Sequence, residues 1–168
     1  FNGGGNSTYS NAYTTAVTNF IYNTIQVSNN TTLTLSTDLM HYGVGTGNMT
    51  VDAGSTLDAG TKLIKAGASG QTWVINGTIK TASTSGLSGT GASTFSSTYT
   101  PTSTLGSSST VEYNASATQT VTNRTDYANV TLTGGSKTIG TSTGQPLALS
   151  KTLTINSGAT YLGSTWNN

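Results

Sequence analysis

The sequence predicts an all-β protein, a single-domain, right-handed parallel β-helix or β-solenoid with few or no helices. Three observations predict this fold class. The chain holds 37 Thr, 22 Ser, 15 Asn and 21 Gly among its 168 residues. Short runs of alternating apolar and polar residues follow one another, and one nine-residue pattern recurs about 104 residues later. Thr favours half-buried strands, Gly, Asn and Ser favour turns, and a recurring unit is typical of solenoids.

Charge is scarce, and this excludes several classes of partner. Only 7% of residues are charged and the net charge is +1, whereas about 25% charged residues is usual. A nucleic-acid interface needs a stripe of Lys and Arg, so we expect no nucleic-acid partner. The most apolar stretch, Ala16–Val27, is interrupted by polar residues, so we expect no membrane-spanning helix. The chain has no Cys and a single His, and we expect no metal site and no cofactor.

The predicted strands are short runs in which alternate residues are apolar. In Thr110–Tyr113, Val111 and Tyr113 share one face and Glu112 occupies the other, as the two-residue period of a strand requires. The stretch Tyr13–Ile25 is ambiguous between helix and strand, and its β-branched and aromatic content favours strand. The predicted strands are Thr31–Leu35, Asn48–Val51, Lys62–Lys65, Thr72–Ile75, Thr78–Lys80, Thr110–Tyr113, Gln119–Thr122, Asn129–Thr133, Lys137–Ile139 and Thr152–Ile155.

The internal repeat joins a strand to a turn and a second strand. Met49–Leu57 matches Leu153–Tyr161 position by position: strand, Asp or Asn, small residue, Gly, small residue, Thr, next strand. The pairs Val51/Val74 and Val130/Leu153 are each separated by about 23 residues, a plausible length for one coil of a three-sided solenoid. We expect each pair to lie in neighbouring coils.

Two segments interrupt the pattern. Residues 1–27 form a predicted N-terminal segment, which either caps this subunit or joins it to a neighbour, and residues 28–168 form the solenoid domain. Within that domain, residues 81–109 are rich in Ser, Thr and Gly and are predicted to be a long excursion on one face.

Several blocks of the chain resemble the repeats of large secreted, adhesin-like β-solenoid proteins of Gram-negative bacteria, of the style exported by type IX secretion. The resemblance covers about Gly47 to Gly163. It implies an extracellular or cell-surface location and an adhesive or structural role, but no enzymatic activity. The matching blocks are Ile75–Ala82, Gly86–Gly89, Leu105–Asn114, Gln119–Val121 and Tyr127–Gly134.

Carboxylates give the chain its one enzymatic alternative, a polysaccharide-cleaving β-helix. In that hypothesis Asp52, Asp58 or Asp126 converges with Lys62 or Arg124 in a groove. Asp52 aligns with an Asn in the repeat, which favours a turn-forming role. We therefore expect no catalytic site. His41 follows Asp38 by three residues and is predicted to form a hydrogen-bonded surface pair with it.

Binding to ice or to a glycan is the second alternative. The pairs Thr32/Thr34, Thr131/Thr133 and Thr152/Thr154 resemble the outward Thr pairs of ice-binding solenoids, but their spacing is uneven and Thr50 and Thr78 stand alone. Aromatic side chains can stack on sugars; most of them fall at inward positions, and Trp166 is the candidate for a surface glycan. The aromatic candidates are Trp73, Tyr99, Tyr113, Tyr127, Tyr161 and Trp166.

The preferred hypothesis is self-association. A solenoid ends in strands with unpaired backbone groups, which soluble proteins cover with caps or guard with charge. With a net charge of +1, little repulsion opposes stacking of one copy on the next. We expect head-to-tail assembly into surface filaments, a heterologous contact that repeats. The predicted subunit contacts are Phe20, Ile21, Tyr22, Tyr161 and Trp166.

Overall fold

A computed structural model describes residues 1–10, 24–41, 48–67, 70–88, 92–95, 101–139 and 147–162. These residues contain strands and no helix. The strands are β1 (Asn6–Tyr9), β2 (Ile25–Val27), β3 (Thr32–Leu35), β4 (Leu39–His41), β5 (Met49–Val51), β6 (Thr56–Asp58), β7 (Ile64–Ala66), β8 (Thr72–Ile75), β9 (Thr78–Thr81), β10 (Thr102–Leu105), β11 (Thr110–Tyr113), β12 (Gln119–Val121), β13 (Tyr127–Leu132), β14 (Ser136–Ile139), β15 (Leu149–Ile155) and β16 (Thr160–Leu162).

The strands stack into parallel sheets that the chain visits in turn. The long sheet has the order β1-β3-β6-β9-β11-β13-β15, and the second sheet has the order β10-β8-β5-β2. A third side consists of the pair β4-β7 and the sheet β12-β14-β16. One coil passes from the second sheet to the long sheet and then to the third side, as β5, β6 and β7 do. The predicted all-β parallel solenoid is confirmed, and it forms one domain.

The core is built from side chains that repeat at the same position in successive coils. In the long sheet, Leu33, Leu57 and Ile79 are in register and fully buried, and Val111 and Val130 continue the column. A similar column fills the second sheet. Each strand thus contributes one or two apolar side chains to a continuous core. The residues of the second column are Val27, Val51, Ile75 and Leu105.

The coils differ in length. Along the long sheet, successive in-register residues are 24, 22, 32, 19 and 23 residues apart. The expected pair Val130/Leu153 is confirmed as a register pair. The expected pair Val51/Val74 is wrong by one position, because Val51 lies opposite Ile75 and Val74 lies opposite Thr50. A shift of one residue exchanges the inward and outward faces of a strand, so Val74 faces outward.

The two copies of the repeated pattern form the same corner at different places. Gly54 has φ +81° in the corner between β5 and β6, and Gly158 has φ +83° in the corner between β15 and β16. These left-handed conformations favour Gly. Each corner is closed by a hydrogen bond, from Ser55 N to Asp52 O (2.9 Å) and from Ala159 N to Asn156 O (3.0 Å). The repeat therefore marks a corner and not a position within the coil.

Both interrupting segments contribute strands to the solenoid. Within residues 1–27, β1 pairs with β3 of the same chain and β2 belongs to the second sheet. Within residues 81–109, β10 pairs with β8. The predicted contacts Phe20, Ile21, Tyr22 and Trp166 lie outside the described residues, as does most of Tyr13–Ile25.

Candidate functional site

The outer surface of the long sheet carries two columns of polar side chains, which we call the threonine face. Each strand contributes one residue to each column, and the residues are in register across all seven strands. Neighbouring strands of a sheet lie about 4.8 Å apart, so each column is a closely spaced row. The first column is Asn6, Thr32, Thr56, Thr78, Thr110, Asn129 and Thr152, and the second is Thr8, Thr34, Asp58, Lys80, Glu112, Thr131 and Thr154.

The uneven spacing in the sequence concealed this arrangement. Thr78 does not stand alone, because it lies between Thr56 and Thr110 in the first column. On β13 the pair that matches Thr152/Thr154 is Asn129/Thr131, and not the predicted pair Thr131/Thr133. The first column consists of hydroxyl and amide side chains throughout. Thr50 is correctly separate, since its neighbours on the second sheet are Gln26 and Val74.

Charged residues occupy the middle of the second column. Lys80 forms an ion pair with Glu112 at 3.2 Å (Nζ to Oε2), and Asp58 lies opposite Lys80 on the other side. The Glu112 carboxylate also accepts a hydrogen bond from Thr133 Oγ1 at 3.3 Å. The threonine face is therefore uncharged at its two ends and carries both signs of charge at its centre.

The three acids of the enzymatic hypothesis lie in separate surroundings. Asp52 accepts a hydrogen bond from Gln26 Nε2 (2.7 Å), and Asp58 accepts one from Gly60 N (3.1 Å). Asp126 precedes β13, three strands along the long sheet from Asp58, which corresponds to about 14 Å. The described residues contain no group of three or more His, Cys, Asp or Glu that could hold a metal ion.

Asp126 is held by Arg124 in a two-pronged ion pair. Arg124 donates to both carboxylate oxygens, at 2.8 and 2.7 Å, and also to the carbonyl of Ser103 at 2.8 Å. Leu105 N donates to the same carboxylate at 2.9 Å. Burial alone raises the pKa of Asp126, but these hydrogen bonds outweigh it and hold the pKa below its ordinary value. The pair fastens the start of β13 to β10.

The expected surface pair of Asp38 and His41 is wrong. His41 is fully buried and accepts a hydrogen bond from the indole of Trp73 at 3.3 Å. Asp38 instead pairs with Lys65 at 2.8 Å and accepts a hydrogen bond from Leu63 N. Strand alternation explains the error, because His41 is two residues from the buried Leu39 and shares its face.

The aromatic side chains lie mostly inside, as expected. Trp73, Tyr113 and Tyr127 are at most 1% exposed, and the hydroxyls of Tyr113 and Tyr127 are 2.5 Å apart. Tyr161 is half-buried in the last described coil, and burial raises its pKa. Tyr99 and Trp166 lie outside the described residues.

Sequence reasoning missed one buried charge. Lys137 is fully buried on the third side, where its ammonium donates to the carbonyls of Ala115 (2.7 Å) and Gly134 (2.6 Å). Desolvation lowers its pKa. Both carbonyls belong to corners, so this lysine fastens two successive corners together. Its alternation with Ile139, two residues later, was the available signal.

The last described coil leaves apolar side chains uncovered. Ile155 is 49% exposed and Leu162 is 51% exposed. By contrast, the residues that precede Ile155 in its register column, Leu132 and Tyr113, are fully buried. Among the described residues, no strand pairs with the outer edges of β15 and β16. We call this edge, with Leu153, Ile155 and Tyr161, the open end.

Comparisons with family models, with curated proteins and with solved structures gave no match. Over the described ranges, no helix has the length and apolar character needed to cross a membrane. The functional argument therefore depends on the threonine face and the open end.

Proposed function

We propose that this chain is an extracellular structural or adhesive β-solenoid that assembles end to end into surface filaments. The observation that carries the proposal is the exposure of Ile155, 49% against full burial of its column neighbours Leu132 and Tyr113. Removing this apolar surface from water favours association by about 25 cal/mol per Å². A further coil stacked on β15 completes the core column.

The surface chemistry of the chain supports the same role. The outward side chains are predominantly short and uncharged, and the net charge is +1, so long-range repulsion between copies is weak. Repeated hydroxyl and amide groups on the threonine face offer many hydrogen-bonding sites to a surface. The resemblance to secreted adhesin-like repeats is the basis for the extracellular location.

Negative-stain electron microscopy and light scattering across a concentration series test the proposal. We expect filaments that lengthen with concentration. Ile155→Lys places a charge in the apolar column at the open end and is expected to keep the protein monomeric. Thr154→Lys is the matched control, because Lys80 already occupies the same outward column. Monodisperse particles of the unaltered chain at high concentration would contradict the proposal.

The threonine face supports a second candidate function, binding to ice or to a glycan. The specific observation is the first column, in which every one of the seven strands presents Thr or Asn. Thermal hysteresis and a glycan array are the measurements. Thr56→Lys with Thr78→Lys is expected to abolish the signal, and Thr50→Lys on the second sheet is expected to retain it. No signal from the unaltered chain would remove this candidate.

A further inference from the structure

We infer that the filament contact is a strand pairing between β15 of one copy and β1 of a second copy, parallel and with Thr152 opposite Asn6. This inference rests on the proposed function and specifies its interface. The two strands are the outermost members of the long sheet, on opposite sides. Their pairing extends that sheet from one copy into the next.

The outer edge of β15 offers alternate backbone groups. Asn156 N donates to Leu132 O at 2.9 Å, so this N–H points toward β13. Because the backbone groups of an extended strand point alternately to its two sides, the N–H and C=O groups of Leu153 and Ile155 point away from β13. These are the groups that a further parallel strand needs.

The outer edge of β1 offers the complementary groups. Thr32 N donates to Gly5 O and Ser36 N donates to Tyr9 O, each at 2.9 Å, so Gly5, Ser7 and Tyr9 point toward β3. By the same alternation, Asn6 and Thr8 present their N–H and C=O groups to the opposite side. With Thr152 opposite Asn6, Leu153 N meets Asn6 O, and Thr8 N meets Leu153 O.

The proposed register also continues both side-chain columns. An Asn beside a Thr already occurs twice in the first column, at Asn6/Thr32 and Asn129/Thr152. On the inward side, Tyr9 would cover Ile155, the residue that the open end leaves exposed. None of the eight side chains in register is charged, so no repulsion opposes the contact. These side chains are Asn6, Ser7, Thr8 and Tyr9 with Thr152, Leu153, Thr154 and Ile155.

Engineered disulfides test this register, and the chain has no Cys of its own. Partners on neighbouring strands have Cα atoms about 4.8 Å apart, within the range that a disulfide spans. The first variant is Asn6→Cys with Thr152→Cys, and the second is Thr8→Cys with Thr154→Cys. The control, Asn6→Cys with Thr154→Cys, is offset by two residues, which separates the Cα atoms by about 8 Å.

Each double variant is assembled, oxidised with diamide and separated by electrophoresis under denaturing, non-reducing conditions. We expect a ladder of covalent multimers from both in-register variants and at least tenfold less from the control. Filaments without this difference would overturn the register and leave the proposed function intact. Absence of filaments from the unaltered chain would overturn both.

Discussion

Trp73 donates its indole N–H to Nδ1 of His41 across 3.3 Å, although the two residues are 32 positions apart in the sequence. Both side chains are fully buried. Acceptance at Nδ1 requires a neutral imidazole with its proton on Nε2. Gln71 Nε2 also donates to the carbonyl of His41 at 3.1 Å, and Phe95 packs edge-on against Trp73 at 5.2 Å between ring centroids. This polar pair ties the third side to the second sheet.

Replacing the imidazole tests this pair. His41→Ala is expected to lower the free energy of unfolding by about 3 kcal/mol, because it leaves a cavity and an unpaired indole N–H. Urea unfolding, followed by the emission of Trp73 in a Trp166→Phe background, is the measurement. Met40→Ala, on the outward face of the same strand, is the control and is expected to cost less than about 1 kcal/mol. Equal losses from both variants would contradict the structural role of His41.

Alkaline pH is expected to destabilise the protein through Tyr113 and Tyr127. Burial raises the pKa of Tyr113, and burial together with the neighbouring Tyr113 raises the pKa of Tyr127 well above its ordinary value. This stability is fully present below the unfolded pKa of about 10 and is lost as the pH rises through the folded values. Tyr127→Phe is expected to flatten the decline of the unfolding free energy above pH 10. An unchanged slope would refute this account.

Acid is expected to weaken the contribution of Asp126. Its folded pKa is lowered, so the contribution is present above the unfolded pKa of about 3.9 and is lost as the pH falls through the folded value. Asp126→Asn is expected to cost about 1 kcal/mol at pH 7 and progressively less below pH 4. Chemical denaturation at several pH values measures this. Asp52→Asn is the control acid; a pH-independent cost for Asp126→Asn would argue against the ion pair.

A methyl group at Gly77 is expected to disrupt a corner. A Cβ atom there would lie 2.3 Å from the carbonyl oxygens of both Asp52 and Ser55, so the backbone of the preceding coil must shift. We expect Gly77→Ala to lower the free energy of unfolding by about 3 kcal/mol, as overpacking does. Gly3→Ala is the matched control, because nothing lies within 4 Å of its Cβ position. Thermal melts of the two variants should therefore differ, and similar melts would contradict the tight corner.

The internal repeat shows how far sequence similarity reaches in this fold. Met49–Leu57 and Leu153–Tyr161 were predicted to be strand, corner and strand, and both are. The sequence did not reveal that one copy joins the second sheet to the long sheet while the other joins the long sheet to the third side. A corner depends on a few local backbone conformations, so the same residues can form it at any edge of the solenoid.

The candidate site was less accessible to sequence reasoning than the fold. The first column of the threonine face was missed because its members are 24, 22, 32, 19 and 23 residues apart, which conceals a repeat at fixed spacing. His41 was misplaced because a nearby acid suggested a partner, whereas Trp73 becomes its neighbour only after the coils stack. The open end was anticipated as an uncapped edge, but the exposed residue that identifies it, Ile155, was not.

The sequence by itself determined the all-β class, the inward and outward faces of most strands and the position of the corners, because alternation and turn propensity act over a few residues. Only the tertiary structure decided which residues are in register from coil to coil. Corners can absorb insertions without disturbing the core, so coil length varies while the strands stay aligned. The alignment is fixed by packing of the buried columns and by hydrogen bonds between coils, and both exist only in the folded solenoid.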